Sequence, residues 1–231
     1  MTRNGILRRL LGARSGVAMT EFALGAPFLL AAGLGGTELA NYALVNMQVS
    51  QLATHIADNA SRIGDTSALV NRKIYESDIN DVIVSAHVEA KSLHLYEFGR
   101  VFISSLQVDP ETGYQHIAWQ RCRGKPAVTS TYGVEGDGLD GKLDGIGPSE
   151  RQVFAQDGDA VIFVEINYVY QPMISDKFVG NRDMHAIAAF TVRDRRDLSQ
   201  IYQRDPGNPD QVQSCADNLA TPEITSDGKV I

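Results

Sequence analysis

The chain has 231 residues, enough for one sizeable domain or two small ones, and its 43% apolar and 21% charged residues suit a globular body. A formal net charge of −7 argues against a nucleic-acid surface, which needs a basic patch. The two cysteines, Cys122 and Cys215, stand in no CxxC or Cys/His spacing that suggests zinc, and there is no G-x-S-x-G, H-E-x-x-H or phosphate-loop motif, so no enzyme, metal or cofactor is expected.

The amino-terminal stretch is the most informative. Residues 1–16 hold Arg3, Arg8, Arg9 and Arg14 and no acid. From Val17 to Gly36 the chain is apolar apart from one charge, Glu21. A helix over those residues rises roughly 30 Å, the thickness of a bilayer's hydrocarbon core. The arginines place residues 1–16 in the cytoplasm and everything after the helix outside. A carboxylate at the bilayer centre costs about 2.5–3.5 kcal/mol, and less one turn in from Val17. Pro27 is a predicted kink. Gly33, Gly35 and Gly36 either let helices approach closely or are simply tolerated there. Past the span, Tyr42, Val45, Val49, Leu52, Ile56 and Ile63 recur at helical spacing. One helix is therefore predicted from about Val17 to Ile63, roughly 70 Å long, with Gly64 as its C-cap and Asp65-Thr66-Ser67 as a turn.

A basic leader, Gly16, Val17, then Glu21 and Phe22, then an apolar run containing Pro27: this order resembles the class III signal of type IV pilin-like proteins. It is most similar to that of TadE-like pseudopilins of tight-adherence (Tad/Flp) pili. The resemblance implies that a prepilin peptidase cuts between Gly16 and Val17, leaving Glu21 fifth in the mature chain. It implies that Glu21 and Phe22 meet other pilins or pseudopilins through the N-terminal helix. It implies a minor pseudopilin of the inner membrane, needed for pilus assembly and adhesion, with residues 1–16 cytoplasmic and the C-terminal domain periplasmic or on the pilus. The chain's length favours that role, because major subunits of this pilus type are much shorter. The implied fold is a pilin-like α+β lollipop: a long helix with a membrane half and an amphipathic half, a second helix, then a mainly antiparallel sheet of about four strands. There is a physical reason for the acid. Cleavage leaves a charged amine on Val17 near the membrane surface, and Glu21 of a neighbouring pilin offsets it.

Along the remaining chain, Ile79, Val82, Ile83, Ala86 and Ala90 predict a helix over about 77–91 with Ser77 or Asp78 as N-cap, although Val82-Ile83-Val84 would also suit the start of a strand. His87 and His94 are read as surface or packed residues. Val101–Val108 and Tyr114–Arg121 predict a hairpin around Asp109–Gly113. Trp119 is a candidate core residue, and its WQRC setting is similar to a stretch of TadE-like proteins. Residues 123–158 are loop-like. The acidic Gly136–Gly145 tract fails as an EF-hand, since positions one, three and five fall on Asp137, Leu139 and Gly141; a flexible acidic turn is expected. Ala160–Tyr170 alternates, and its Ile162, Val164, Ile166, Tyr168 and Tyr170 side is expected to face the core. The Y-x-Y-x-P ending at Pro172 is again similar to TadE-like proteins. Met184–Val192 is a predicted fourth strand, antiparallel to the preceding one.

The expected organisation is a leader (1–16), a transmembrane segment (17–36), an amphipathic extension (37–63), an exported α+β domain (64–197) and a polar C-terminal tail (198–231). In an exported domain Cys122 and Cys215 are expected to form one disulfide, the alternative being two buried thiols. A second functional reading is a secreted soluble binding domain. In it Phe22–Ala32 is a signal-peptide core, and a conventional signal peptidase cuts after Ala31-Ala32-Gly33.

Overall fold

The computed structural model describes residues 15–65, 71–193, 195–220, 222–226 and 229–231. The leader arginines and the Thr66-Ser67 part of the expected turn lie outside them. The chain divides into two compact units. One takes the first helix up to Leu44 together with Pro172–Asn181; the other takes Val45–Gln171 and Arg182–Ile231.

Helix α1 (Ser15–Ala60) runs for 46 residues and is continuous through Pro27. It stops three residues before the predicted Ile63. Ser61 Oγ donates to the Asp58 carbonyl, the Arg62 amide turns back to Asn59, and the Arg196 guanidinium donates to the carbonyls of Ala60 and Ser61. A cation satisfying the last free carbonyls is a favourable helix end. Gly64 is therefore not the cap. At φ +121° it makes the turn that lets Asp65 bond back to Lys73. Within the second unit α1 buries Val49, Leu52, Ala53, Ile56, Ala57 and Ala60, a single helical face.

Helix α2 (Glu76–Glu89) buries Ile79, Val82, Ile83 and Ala86, as the spacing predicts, and the strand alternative at Val82 falls. Its N-cap is Tyr75, three residues before Asp78. Asp78 instead reaches back from the first turn to accept the Tyr75 amide at 3.0 Å. A short 3₁₀ turn (Lys91–Leu93) and the one-turn helix α3 (Leu95–Phe98) lead into the sheet.

Four strands follow: β1 (Gly99–Val108), β2 (Gln115–Arg123), β3 (Ala160–Val169) and β4 (Asp183–Thr191). They form one antiparallel sheet in the order β2-β1-β3-β4. Phe102 sits opposite Cys122 on one side and Glu165 on the other; the β1–β3 register holds throughout, and the β1–β2 register shifts by one residue between Ser105 and Leu106.

The one-sided burial expected of β3 is not what forms. Ile162, Val164, Ile166 and Tyr168 are buried, and Tyr168 donates to the Leu93 carbonyl at 2.9 Å. The opposite series is buried too: Val161 and Phe163 pack with Leu106, Ile117, Ile146 and Ala155. Tyr132, Leu143 and Val153 complete that cluster. The loop-like segment 123–158 supplies this cover with little regular structure, pinned by a bridge between Ile146 and Val153. A central strand covered on both sides no longer shows a polar face in its alternation. Two carboxylates of the acidic tract are used locally: Asp137 accepts the Val134 amide, and Asp140 pairs with Lys142.

Among the described residues of 198–231 there is no named strand or helix, as expected, but Tyr202 bonds back to Ile74 and Glu76, and the part from Gln213 is laid along β2. The Cys122 amide donates to the Gln213 carbonyl and the Gly124 amide to that of Leu219. Arg123 donates to the carbonyls of Ala220 and Ile231 at 2.6 and 3.0 Å. Cys122 and Cys215 are joined by a disulfide that closes a separation of 93 residues. In the chain-entropy description a loop of that size is worth about 4 kcal/mol. Cys215→Ser is expected to lower unfolding free energy by about that amount, read as a shift in urea midpoint that reductant reproduces in the unaltered chain.

Candidate functional site: the exposed amino-terminal helix

The first half of α1 is apolar and bare. A stretch beginning at Gly16 has mean hydropathy 1.6 over its most apolar window, none of which is buried. Phe28 is 79% exposed, and Met19, Phe22, Leu24, Leu29 and Leu30 are similarly bare. Water does not tolerate that density of large apolar side chains along one rod, so lipid or other helices must cover it. The hydroxyls within it are turned inward: Thr20 donates to the Val17 carbonyl at 2.8 Å, and Thr37 to Gly33 at 2.9 Å. Such back-bonding removes the need for water.

The residues singled out in the sequence lie on this surface. Gly16 and Val17 are exposed in the first turn, and a Cβ built on Gly16 would meet nothing within 4 Å. Glu21 is exposed four residues on, on the same side of the helix as Val17, and Phe22 is next to it. Cys122 and Cys215 are brought together, in the other unit, and serve the tail.

Sequence reasoning missed Glu38. It lies in α1 just past the apolar run and is fully buried. Its carboxylate accepts the amides of Met173 at 3.2 Å and Ile174 at 2.7 Å. The signal was available as the second acid of the helix, directly after Gly35-Gly36-Thr37. Its partners are backbone groups far along the chain, which carry no sequence signature.

Two other places collect polar groups. A cleft of about 740 Å³ beside β2 is lined by His116, Trp119, Arg121 and Glu135 among others. Arg121 there is already held by Glu76 at 2.6 Å and Glu135 at 3.2 Å, and Ser199 donates to Asp197 at 2.6 Å, so these groups clamp one another. The second is Glu165 in β3, which is buried with His185 Nε2 at 2.9 Å, Ser130 Oγ at 2.6 Å and the Thr131 amide at 3.0 Å. Burial alone would raise its pKa; hydrogen bonds from His185, Ser130 and Thr131 outweigh that and hold it down to about 2. A carboxyl whose folded pKa lies below its unfolded one stabilises the fold above the unfolded value, and that contribution fades as pH falls toward the folded one. Stability is therefore expected to drop between about pH 5 and pH 2 by about 3 kcal/mol. Glu165→Gln should flatten that slope in thermal unfolding scans taken across the same range.

Residues 16–62 match the TadE-like protein family. The match begins at the predicted cleavage glycine and ends just after α1. No curated protein and no solved structure matches the chain. The match covers α1 from Gly16 on and the two residues after it, and leaves the sheet and the tail unmatched. The bare apolar helix is compatible with a single-pass membrane anchor.

Proposed function

We propose that this TadE-like chain is a minor pseudopilin needed for assembly of Tad/Flp pili and for the adhesion they mediate. Residues 1–16 stay in the cytoplasm, residues 17–36 cross the inner membrane, and the domain beyond lies in the periplasm or on the pilus. A prepilin peptidase cuts between Gly16 and Val17. Glu21 then meets the α-amine of a neighbouring pilin or pseudopilin, with Phe22 packing beside it.

The observation that carries this reading is the helix surface itself. Glu21 is the one acid between Val17 and Gly36 on a bare, membrane-length apolar rod, it follows Gly16 at the pilin spacing, and that same stretch matches the TadE-like family. An acid there makes sense if a cation comes to it from another chain.

The test is the mature N-terminus, read by intact mass and N-terminal peptide mapping with the prepilin peptidase present and absent. A peptidase-dependent start at Val17 is expected. A start at Leu34 would mean conventional secretion of a soluble domain and would sink the proposal.

A further inference from the structure

We propose that the loop Pro172–Asn181, between β3 and β4, is a membrane foot: it seats its apolar side chains in the outer interface of the phospholipid bilayer that α1 spans. This rests on the anchoring part of the function proposed above.

The loop belongs to the same compact unit as the first part of α1. Two contacts fix it there. The Glu38 carboxylate takes the amides of Met173 and Ile174, and the Phe178 ring lies against Gly35, where an added Cβ would come within 3.1 Å of it. Gly35 and Glu38 are both buried by this seat, although α1 is bare on either side of them at Leu34 and Leu39. The 3₁₀ turn Asp176–Phe178 stiffens the loop, with Ser175 Oγ accepting the Lys177 amide at 3.2 Å.

The position sets the occupant. Residues 35–38 stand where the apolar run ends, roughly 30 Å along the helix from Val17, which is the level of the headgroups when that run fills the hydrocarbon core. At that level the loop turns Met173, 70% exposed, with Ile174 and Phe178 outward. Leu34 and Leu39, which flank the seat along α1, are exposed as well, so the loop's apolar side chains are not alone at that level. Lys177 and Asp176 beside them, both polar and charged, suit a zwitterionic headgroup layer, where a lysine can keep its stem in apolar surroundings and its charge in water. Glu38 at the edge of a bilayer is tolerable because two backbone N–H groups replace water around it. A second protein copy is the competing cover.

The experiment uses the full chain in liposomes, with Phe178→Trp placed in a Trp119→Phe background and emission quenched by brominated lipids. The expected result is blue-shifted emission from the Phe178→Trp reporter, lost more to lipids brominated near the headgroup than to those brominated near the chain end. Emission quenched by aqueous acrylamide and untouched by bromine would overturn the proposal. Emission shielded from both would mean a protein partner, and would overturn it equally. Leu30→Trp in the same background separates the two readings. If the Leu30→Trp reporter is quenched by deep bromine and the Phe178→Trp reporter by neither bromine position, the foot fails and the anchor stands. If the Leu30→Trp reporter is not quenched, both fail. The same two reporters with Trp119 retained, each read as a difference in quenching from the unaltered chain, cover the case in which Trp119→Phe does not fold. Adding Glu38→Ala should free the loop and shift the Phe178→Trp reporter toward acrylamide.

Discussion

Glu21→Ala is expected to abolish or severely reduce piliation while the protein still inserts in the membrane. Insertion loses nothing, because alanine removes a carboxylate whose burial in hydrocarbon costs up to about 3 kcal/mol. Assembly loses its electrostatic partner. A charged Val17 amine carried into a helix bundle without an acid opposite is a buried, uncompensated charge, and breaking such a pair costs about 3–5 kcal/mol. One such loss per incorporated copy reduces incorporation by about two orders of magnitude or more, since about 1.4 kcal/mol is tenfold. Glu21→Gln keeps the shape and removes the charge, so it should fail nearly as badly. Electron microscopy of pili, beside carbonate extraction of membranes, separates assembly from insertion. Normal piliation in either variant would remove Glu21 from the proposed role.

What the sequence made legible was whatever repeats along one element. The α1 stripe, the α2 face and the β3 alternation were readable from period, and the β1–β2 hairpin from the turn residues between its strands, with boundaries moved by one to three residues. The helix ends moved for reasons of partner chemistry: Arg196 ends α1 from far along the chain, and Asp78 caps α2 from inside it. Three things were not legible. The second core face of β3 is covered by a segment with almost no regular structure, so no period announced Ile146, Ala155 or Tyr132 as core. Glu165 looked like a solvent-facing strand residue because its partners, Ser130, Thr131 and His185, come from outside its own strand. Glu38 meets the loop through backbone amides, and those leave no trace in side-chain pattern. At the candidate site the reverse holds. Gly16, Val17, Glu21 and Phe22 are close neighbours in sequence on one exposed helix, so the role proposed for them rests on their spacing and not on distant partners.

The largest expected loss of stability lies away from that helix, at Arg100 in β1. Its side chain is buried, and its guanidinium donates to the carbonyls of Cys215 at 2.6 Å, Asp217 at 3.1 Å, and Gly124 and Pro126 at 3.3 Å, and to the Asn218 side chain. Burial pulls its pKa down and Asp217 opposes that, but a guanidinium stays charged at any working pH. Arg100 thus does from the inside of the sheet what the disulfide does covalently: it holds residues 215–218 against the β1–β2 edge. Arg100→Ala leaves these acceptors without their donor and opens a cavity, so a loss of about 4–5 kcal/mol is expected. Arg100→Lys keeps the charge yet cannot fork to several carbonyls, and should recover less than half. Because Arg100 binds the carbonyl of Cys215 itself, the arginine and disulfide changes share one structure, and their combined cost should fall short of their sum. Urea unfolding of Arg100→Ala, Cys215→Ser and the double variant measures that coupling. Strict additivity would mean that the tail is held at independent points, and a cost below about 1 kcal/mol for Arg100→Ala would mean that water replaces the guanidinium at little expense. A tail end clamped this way also explains why residues 213–220, with no period of their own, keep a single path along β2: two arginines and a disulfide on the neighbouring strands hold them, while farther back Tyr202 pairs with Ile74 and Glu76 and Arg204 with Asp78.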